Sequence, residues 1–313
     1  MKASSRRVWS LVAVLASAVF FGLNATATKI LYAPETPSHV DPLGLIVARS
    51  LWTLPLFLVL AVATRPGLLS KPARRDVALF ALCGVAYGPG TTGMYALGVG
   101  ATSAAHAVLL LSLVPPIAAV IAAALLHERL HVVRVAAIAI GVAGAATLTF
   151  SRSTSGSSPE GDAMILVMVV MWALMTLAIR VLTRTYPPLF VTGVMGTLGT
   201  VILIALGAAL HRLDAGSIAI RFADPRTIIW FDLELVLLLS VTAQLLQSLA
   251  LRVLAVGLVS ALTAYGTIFV GLLASLFILH EQFTVWSALA IALLAAALTL
   301  ALVPVPRVAE ASG

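Results

Sequence analysis

The chain has 313 residues, a formal net charge of +7, 61% hydrophobic and only 10% charged residues, and a mean hydropathy of +1.10. No water-soluble domain of this length could hide that much apolar surface, which excludes a soluble enzyme or a soluble binding module. The positive charge does not indicate nucleic acid, because the basic residues are scattered as loop anchors between apolar runs.

Apolar runs near or above about 18 residues recur along the whole chain, long enough to cross a ~30 Å hydrocarbon core as helices. Continuous runs exclude a β-barrel, whose strands would be short and alternating, and an open sheet would strand backbone groups in lipid. The reading is an all-α polytopic membrane protein. Its ten predicted transmembrane helices are Trp9–Leu31, Pro42–Ala63, Asp76–Leu97, Ser103–Leu126, Val132–Phe150, Asp162–Thr183, Leu189–Leu210, Leu233–Leu254, Gly257–Leu279 and Phe283–Val303. Pro34 and Pro37 mark the first loop, and Pro66 and Pro72 the second. Ser151 to Pro159 is a Ser/Gly-rich linker, and His211 to Trp230 is the longest connection. Lys2, Arg6 and Arg7, the apolar run after them and Ala25-Thr26-Ala27 also fit a cleaved secretory signal. Removing that segment would leave nine spans, so it is read as the first span.

The chain repeats itself. Leu126-His127-Glu128 recurs as Leu279-His280-Glu281 at an offset of 153, and Ala137-Ile138-Ala139 recurs as Ala290-Ile291-Ala292 at the same offset. Phe21 and Lys29 match Trp172 and Arg180 at an offset of 151. Each half holds five spans, so the second copy enters the membrane from the opposite face. Residues 1–150 form the first five-helix repeat, 151–161 a linker and 162–313 the second. Two inverted repeats are a design for transport, because rocking one against the other opens a central site to each side in turn. Arg65, Lys71, Arg74, Arg75, Arg129, Arg134, Arg184, Arg252 and Arg307 all fall on the side of the N-terminus, which puts both termini in the cytoplasm. Arg152, Arg212, Arg221 and Arg226 fall outside, three of them near Asp214 and Asp224.

These pieces resemble the EamA-like transporters of the drug/metabolite transporter superfamily over nearly the whole chain. The resemblance is carried by Phe21-Gly22 followed by Lys29, Asp41-Pro42 followed by Arg49, Pro115-Pro116 ahead of Glu128, and Glu281 as the repeated form of Glu128. It implies ten helices in two inverted five-helix repeats, a central cavity, and export or uptake of a small metabolite. The chain departs from the family pattern in having Phe21-Gly22 for a common Trp-Gly, and Ile268 where a proline opposite Pro115 is expected.

Polar residues inside a membrane protein are costly and tend to face a cavity. Span 8 aligns Ser240, Gln244, Gln247 and Ser248 on one helical face. Subtracting 153 gives Tyr87, Thr91, Met94 and Tyr95 in span 3, a second polar and aromatic stripe. Gln244, Gln247, Ser248, Tyr87, Thr91 and Tyr95 are therefore candidate substrate-binding residues; the alternative is helix–helix glue. Span 1 adds Asn24, with Ser17 and Thr28, and span 6 adds Trp172, which either walls a cavity or packs the core. Ser260, Thr263, Tyr265 and Thr267 of span 9 are open between the same two roles. His106, Glu128 and Glu281 are candidates for gating or coupling. Arg49 is the deepest charge, about 7 residues or ~10 Å along its helix, and joins the candidate substrate contacts. No Asp or Glu lies deep, which favours a neutral, zwitterionic or anionic solute over a cation.

Enzyme chemistry finds little support. The chain has no nucleotide-binding glycine loop and no Cys/His cluster, and Cys83 is the lone cysteine, so no internal disulfide forms. His127-Glu128-Arg129-Leu130-His131 has the spacing of a zinc protease helix, yet it straddles a span boundary and its repeat copy carries Thr284 for the second histidine. No metal and no cofactor are expected. Gly193, Gly196 and Thr200, and Ala137, Gly141 and Ala145, form small-residue faces that serve either folding within one chain or a homodimer contact. The function expected is secondary transport by alternating access, with export of a small polar metabolite such as an amino acid. The expected partners are that small-molecule substrate and membrane lipid, with no nucleic acid, and the expected location is the plasma (bacterial inner) membrane. A lipid-linked sugar or sugar-phosphate translocator is the alternative within transport. An intramembrane enzyme or structural membrane subunit is the alternative outside it.

Overall fold

The computed structural model describes residues 3–31, 42–64, 73–102, 107, 110–126, 131–151, 158–210, 240–278 and 284–303. Among them there is helix and no strand. The helices are α1 (Ala3–Leu31), α2 (Pro42–Ala63), α3, α4 (Val114–Leu126), α5 (Val132–Ser151), α6 (Pro159–Leu182), α7 (Pro188–Ala209), α8 (Ser240–Leu251), α9 (Val256–Ile278) and α10 (Val285–Leu302). Helix α3 is one rod of three pieces, Arg74–Val85, a π-helical Ala86–Gly93 and Met94–Ala101. Among the described residues six stretches are long and apolar enough to cross a membrane, and four shorter apolar helices accompany them. The bundle is apolar on its outside: Trp52, Val59, Val62 and Leu206 are exposed, while Ser17, Thr192, Gln244, Gln247 and Ser248 are buried. That inversion suits lipid rather than water as the surrounding solvent.

Packing has a two-fold pattern. Helix α2 packs on α7, α4 on α9 and α5 on α10, each against its counterpart five helices later, and the contacts of α1 with α8 and α9 are mirrored by those of α6 with α3 and α4. Small residues set these contacts. A Cβ on Gly193 would lie 2.4 Å from the Ala61 nitrogen, and one on Gly196 would lie 2.2 Å from the Phe57 ring, so α7 reaches α2 only because neither residue has a side chain. Gly141 likewise receives the Tyr265 ring, whose hydroxyl donates to the Ile138 carbonyl at 3.0 Å. Both small-residue faces are therefore used within the chain.

One end of the bundle shares a single core. Phe80, Leu182, Tyr186, Val191, Leu251, Leu254 and Val256 belong to one buried cluster that draws on both repeats. At the other end the described buried residues separate into Ile46, Val47, Ala96 and Leu203 on one side and Ala107, Val114, Ile165, Met168 and Val169 on the other. The chain crosses between the repeats at that looser end, where Ser158 caps α6 by accepting from the Gly161 amide and donates its hydroxyl to the Ala101 carbonyl ending α3. Thr102 hydrogen-bonds Asp162 beside it.

Candidate functional site

Phe21 of α1 and Trp172 of α6 meet edge to face, with ring centroids 5.8 Å apart and planes at 64°. The neighbouring Gly22 explains how α1 gets there. A Cβ at Gly22 would stand 2.7 Å from that of Val270, so α1 lies directly on α9 while Phe21 projects to the other side. Trp172 is half-buried and packs beside Met94 and Tyr95 on the cluster formed with Ile165 and Met168. Thr176 donates to the Trp172 carbonyl at 2.8 Å. Trp172 and Tyr95 are thus brought to the middle of the bundle.

Helix α3 carries a feature that helical periodicity does not reveal. Gly88-Pro89-Gly90 lies within its π-helical segment. Pro89 has no amide hydrogen, and its ring crowds the preceding turn, so the ladder widens there. The Thr91 and Thr92 hydroxyls both donate to the Tyr87 carbonyl at 2.8 Å. Across this segment Tyr87 packs toward α2 and α7, while Tyr95 packs on the cluster formed with Ile165 and Met168 of α6. Tyr87 is buried edge to face on Phe57, 5.6 Å away, and against Gly199. Thr91 and Tyr95 are half-buried.

Three residues of the α8 stripe lie inside the bundle. Gln244 is 2% exposed, and Gln247 and Ser248 are 0% exposed. Gln244 donates from Nε2 to Gln247 Oε1 at 3.1 Å, Ser248 donates to the Gln244 carbonyl at 2.8 Å, and Thr192 of α7 donates to Ser248 Oγ at 2.9 Å. Ser17 of α1 donates to the Ala243 carbonyl at 2.7 Å. Ser248 and Ser17 thereby join α8 to α7 and α1. Gln247 Nε2 has no partner among the described residues. At the end of α8, Arg180 Nη1 donates to the Leu251 carbonyl at 2.6 Å, where a helix presents unpaired carbonyls.

Of the other expected residues, Arg49 is half-buried in α2. Only the backbone of Asn24 is described, and His106, Glu128 and Glu281 lie outside the described residues. His131, the second histidine of the zinc-like spacing, caps α5: its Nδ1 accepts from the Val133 amide at 3.3 Å. Thr284, its repeat counterpart, caps α10 by accepting from the Ser287 amide at 3.1 Å. The position takes a polar residue in both copies because each opens a helix. Among the described residues no three His, Cys, Asp or Glu side chains gather as a metal site.

Two features of the site have little signal in the sequence. The repeat offset pairs Phe21 with Trp172, but nothing in a one-dimensional pattern shows that paired residues touch. Tyr186, in the turn between α6 and α7, donates to Asp76 Oδ2 at 2.9 Å and packs on Phe80 and Phe190. A loop tyrosine gives no periodic signal. The centre as a whole offers aromatic faces, hydroxyls and carboxamides, which can hold and release a solute without changing it.

A helical bundle with an apolar exterior, a two-fold packing pattern and a polar, aromatic middle is that of a multi-pass membrane transporter. The family model of the EamA-like transporter family matches twice, over residues 8–150 and 159–303, and the chain belongs to that family. It is similar to a protein of Methanothermobacter thermautotrophicus described as an uncharacterized transporter, 21% identical over 215 residues. That match takes in 64% of this chain and 62% of the relative's length. A protein of known crystal structure aligns over 96% of both chains with a TM-score of 0.71 at 20% identity, a likeness of fold.

Proposed function

We propose that the protein is a secondary transporter of the plasma (bacterial inner) membrane. It works by alternating access and exports a small polar metabolite such as an amino acid. In this reading α1 to α10 are ten transmembrane helices, residues 1–150 and 162–313 are inverted five-helix repeats, 151–161 is the linker, and both termini are cytoplasmic. The observation that carries it is the contact between Phe21 and Trp172, equivalent positions of the two repeats. Across a two-fold, equivalent residues touch only at the axis, so this pair marks the centre about which the repeats would rock. The pattern of basic loops favours the cytoplasmic side for the tightly cored end of the bundle. The three described acidic side chains within helices, Asp76, Glu160 and Asp162, all open their helices rather than sit deep, which suits a neutral, zwitterionic or anionic solute better than a cation.

The test is flux through purified protein in sealed liposomes, over a panel of amino acids, sugars and sugar phosphates, with and without proton or sodium gradients. Movement of an unmodified solute supports the reading; conversion of solute, or no flux for any class, overturns it. Orientation is tested separately by cysteines placed at Glu128 and Glu281 in a Cys83→Ser background. An impermeant thiol reagent on intact cells is expected to label position 281 alone.

A further inference from the structure

Helix α9 carries three hydroxyls that behave unlike most others described in the bundle. Elsewhere Ser50, Thr176, Thr183, Thr200 and Ser248 each donate to the carbonyl four residues earlier, the usual way a helical hydroxyl is satisfied away from water. Ser260 Oγ, Thr263 Oγ1 and Thr267 Oγ1 are buried and have no partner among the described residues. Ser260 and Thr263 are only 2% and 1% exposed. The three stand at i, i+3 and i+7, one face of the helix. Past Thr267 that face packs on α1, where Val270 and the Thr267 carbonyl meet Gly22; Ser260 and Thr263 lie before that contact. Gly266 abuts Ala18 of α1, Tyr265 reaches α5, and Ala264 joins the α4–α6 cluster. Ser260 and Thr263 occupy the sector between the α1 contact of Gly266 and the α4–α6 contact of Ala264.

The adjoining helix supplies the other partnerless group. Gln247 lies four residues before Leu251, the end of α8, and Ser260 lies four residues after Val256, the start of α9; Gln244 and Thr263 are each seven away. In an antiparallel hairpin this puts Gln247 level with Ser260, ~6 Å into the helices, and Gln244 level with Thr263, ~10 Å in. Another such hydroxyl, Thr197 Oγ1, is on α7. Leaving a buried polar atom without a partner costs about 1–3 kcal/mol, and four of them on one hairpin are explained if a bound molecule completes them. Gln247 Nε2 can only donate, so an acceptor on that molecule completes it. The hydroxyls can donate as well.

We propose that Gln247 Nε2 with the Ser260 and Thr263 hydroxyls forms a donor subsite for the carboxylate end of the transported solute. This rests on the transport reading above. The repeat counterparts of Ser260 and Thr263 in the first half are Ala107 and Leu110, so the subsite has no twin there, and the solute is gripped from one repeat.

The experiment uses Ser260→Ala, Thr263→Val and the conservative Thr263→Ser. L-leucine and L-phenylalanine are compared with their amides and with the amines that lack the carboxylate. Melting temperature is read with and without solute, and flux is read in liposomes. Because the hydroxyls have no partner among the described residues, Ser260→Ala and Thr263→Val are expected to leave the melting temperature of the solute-free protein unchanged or raised. Each is expected to raise the amino-acid concentration needed for half-maximal stabilisation by about tenfold or more, the usual value of a hydrogen bond to a charged group. Thr263→Ser restores binding, and the amines bind weakly to every form. A lower melting temperature in solute-free Thr263→Val marks the hydroxyls as structural groups bridged by water and overturns the subsite. So does a native protein that carries or binds the amines as well as the amino acids. If the native protein carries no solute of any class, it is the transport reading that falls.

Discussion

Phe21 and Trp172 occupy equivalent positions in the two repeats, and their rings touch edge to face across the middle of the bundle, 5.8 Å between centroids. A contact between equivalents is shared by both halves and lies where they meet. Such a pair is worth about 0.5–1.5 kcal/mol beyond its buried area, little enough to be made and broken during a cycle. Trp172→Phe is expected to keep most flux. Trp172→Ala and Phe21→Ala are each expected to reduce it severely while lowering stability by only about 1–3 kcal/mol. A double-mutant cycle on melting free energy checks the contact itself, with an expected coupling of about 1 kcal/mol. Additive effects of the two changes would show that the rings stabilise the bundle independently.

Tyr186 and Asp76 tie the turn between α6 and α7 to the first turn of α3, joining the two repeats at the tightly cored end. Burial first, and then the hydrogen-bonded Asp76 carboxylate beside it, push the Tyr186 phenol above its ordinary value of about 10. The folded state therefore holds this proton more tightly than the unfolded chain does. The resulting stabilisation is fully present below pH of about 10 and is lost as pH rises through the higher folded value. Tyr186→Phe is expected to cost about 1 kcal/mol at neutral pH and to flatten the alkaline fall in melting temperature above pH of about 10. Melting curves of both proteins between neutral and strongly alkaline pH decide it. Parallel curves would assign the alkaline loss to other groups.

The fold is legible in the sequence because its signals are long and redundant. Apolar runs place α2, α6, α7, α9 and α10 within a few residues of their expected bounds, and the offsets of 151 and 153 pair the halves before any contact is known. The site is legible only in part. The α8 stripe reads straight from helical periodicity because α8 is regular, and the structure keeps Gln244, Gln247 and Ser248 together. The α3 stripe crosses a π-helical segment at Gly88-Pro89-Gly90 that periodicity does not announce, and its members pack on different neighbours, Tyr87 on Phe57 and Gly199 and Tyr95 on the α6 cluster. Gly and Pro in mid-span are the available signal. Whether a buried hydroxyl bonds its own helix or is left over, as Thr176 and Thr263 respectively show, depends on rotamer and neighbour and has no signature in the residue type.

His131 and Thr284 show one repeat position doing one task with two chemistries. Both accept from an amide in the first turn of the following helix, at 3.3 Å and 3.1 Å. Thr284→Ala is expected to cost about 1 kcal/mol, the usual value of such a cap. His131→Ala is expected to cost less, because its longer bond is the weaker one, and His131→Asn or His131→Thr should restore what is lost. Melting temperatures of the four variants are the measurement. A chelator added to the native protein should leave its melting temperature unchanged; a drop shared by chelated protein and His131→Ala would revive the zinc spacing.

Gly88 and Gly199 mark a close backbone approach between α3 and α7. A Cβ on Gly88 would sit 2.2 Å from the Gly199 carbonyl oxygen, and one on Gly199 would sit 2.8 Å from the Gly88 nitrogen. The obstacle at Gly88 is backbone alone, and at Gly199 it is backbone together with the Tyr87 ring at 2.7 Å, so backbone that cannot rotate out of the way blocks both. The same contact holds Tyr87 against Phe57 of α2, so displacing α3 here also opens that aromatic pair. Gly88→Ala is expected to lower stability by about 1–3 kcal/mol or more, the usual range for overpacking a close-packed interior. Gly93→Ala provides the control: it lies in the same π-helical segment, and its added Cβ would meet nothing nearer than 3.7 Å. Melting temperature and folded yield of the two variants in the same detergent are the readout, with Gly88→Ala clearly the lower. Equal behaviour would mean that α3 and α7 can separate at little cost, and that the glycines serve the π-helical turn rather than the contact between helices.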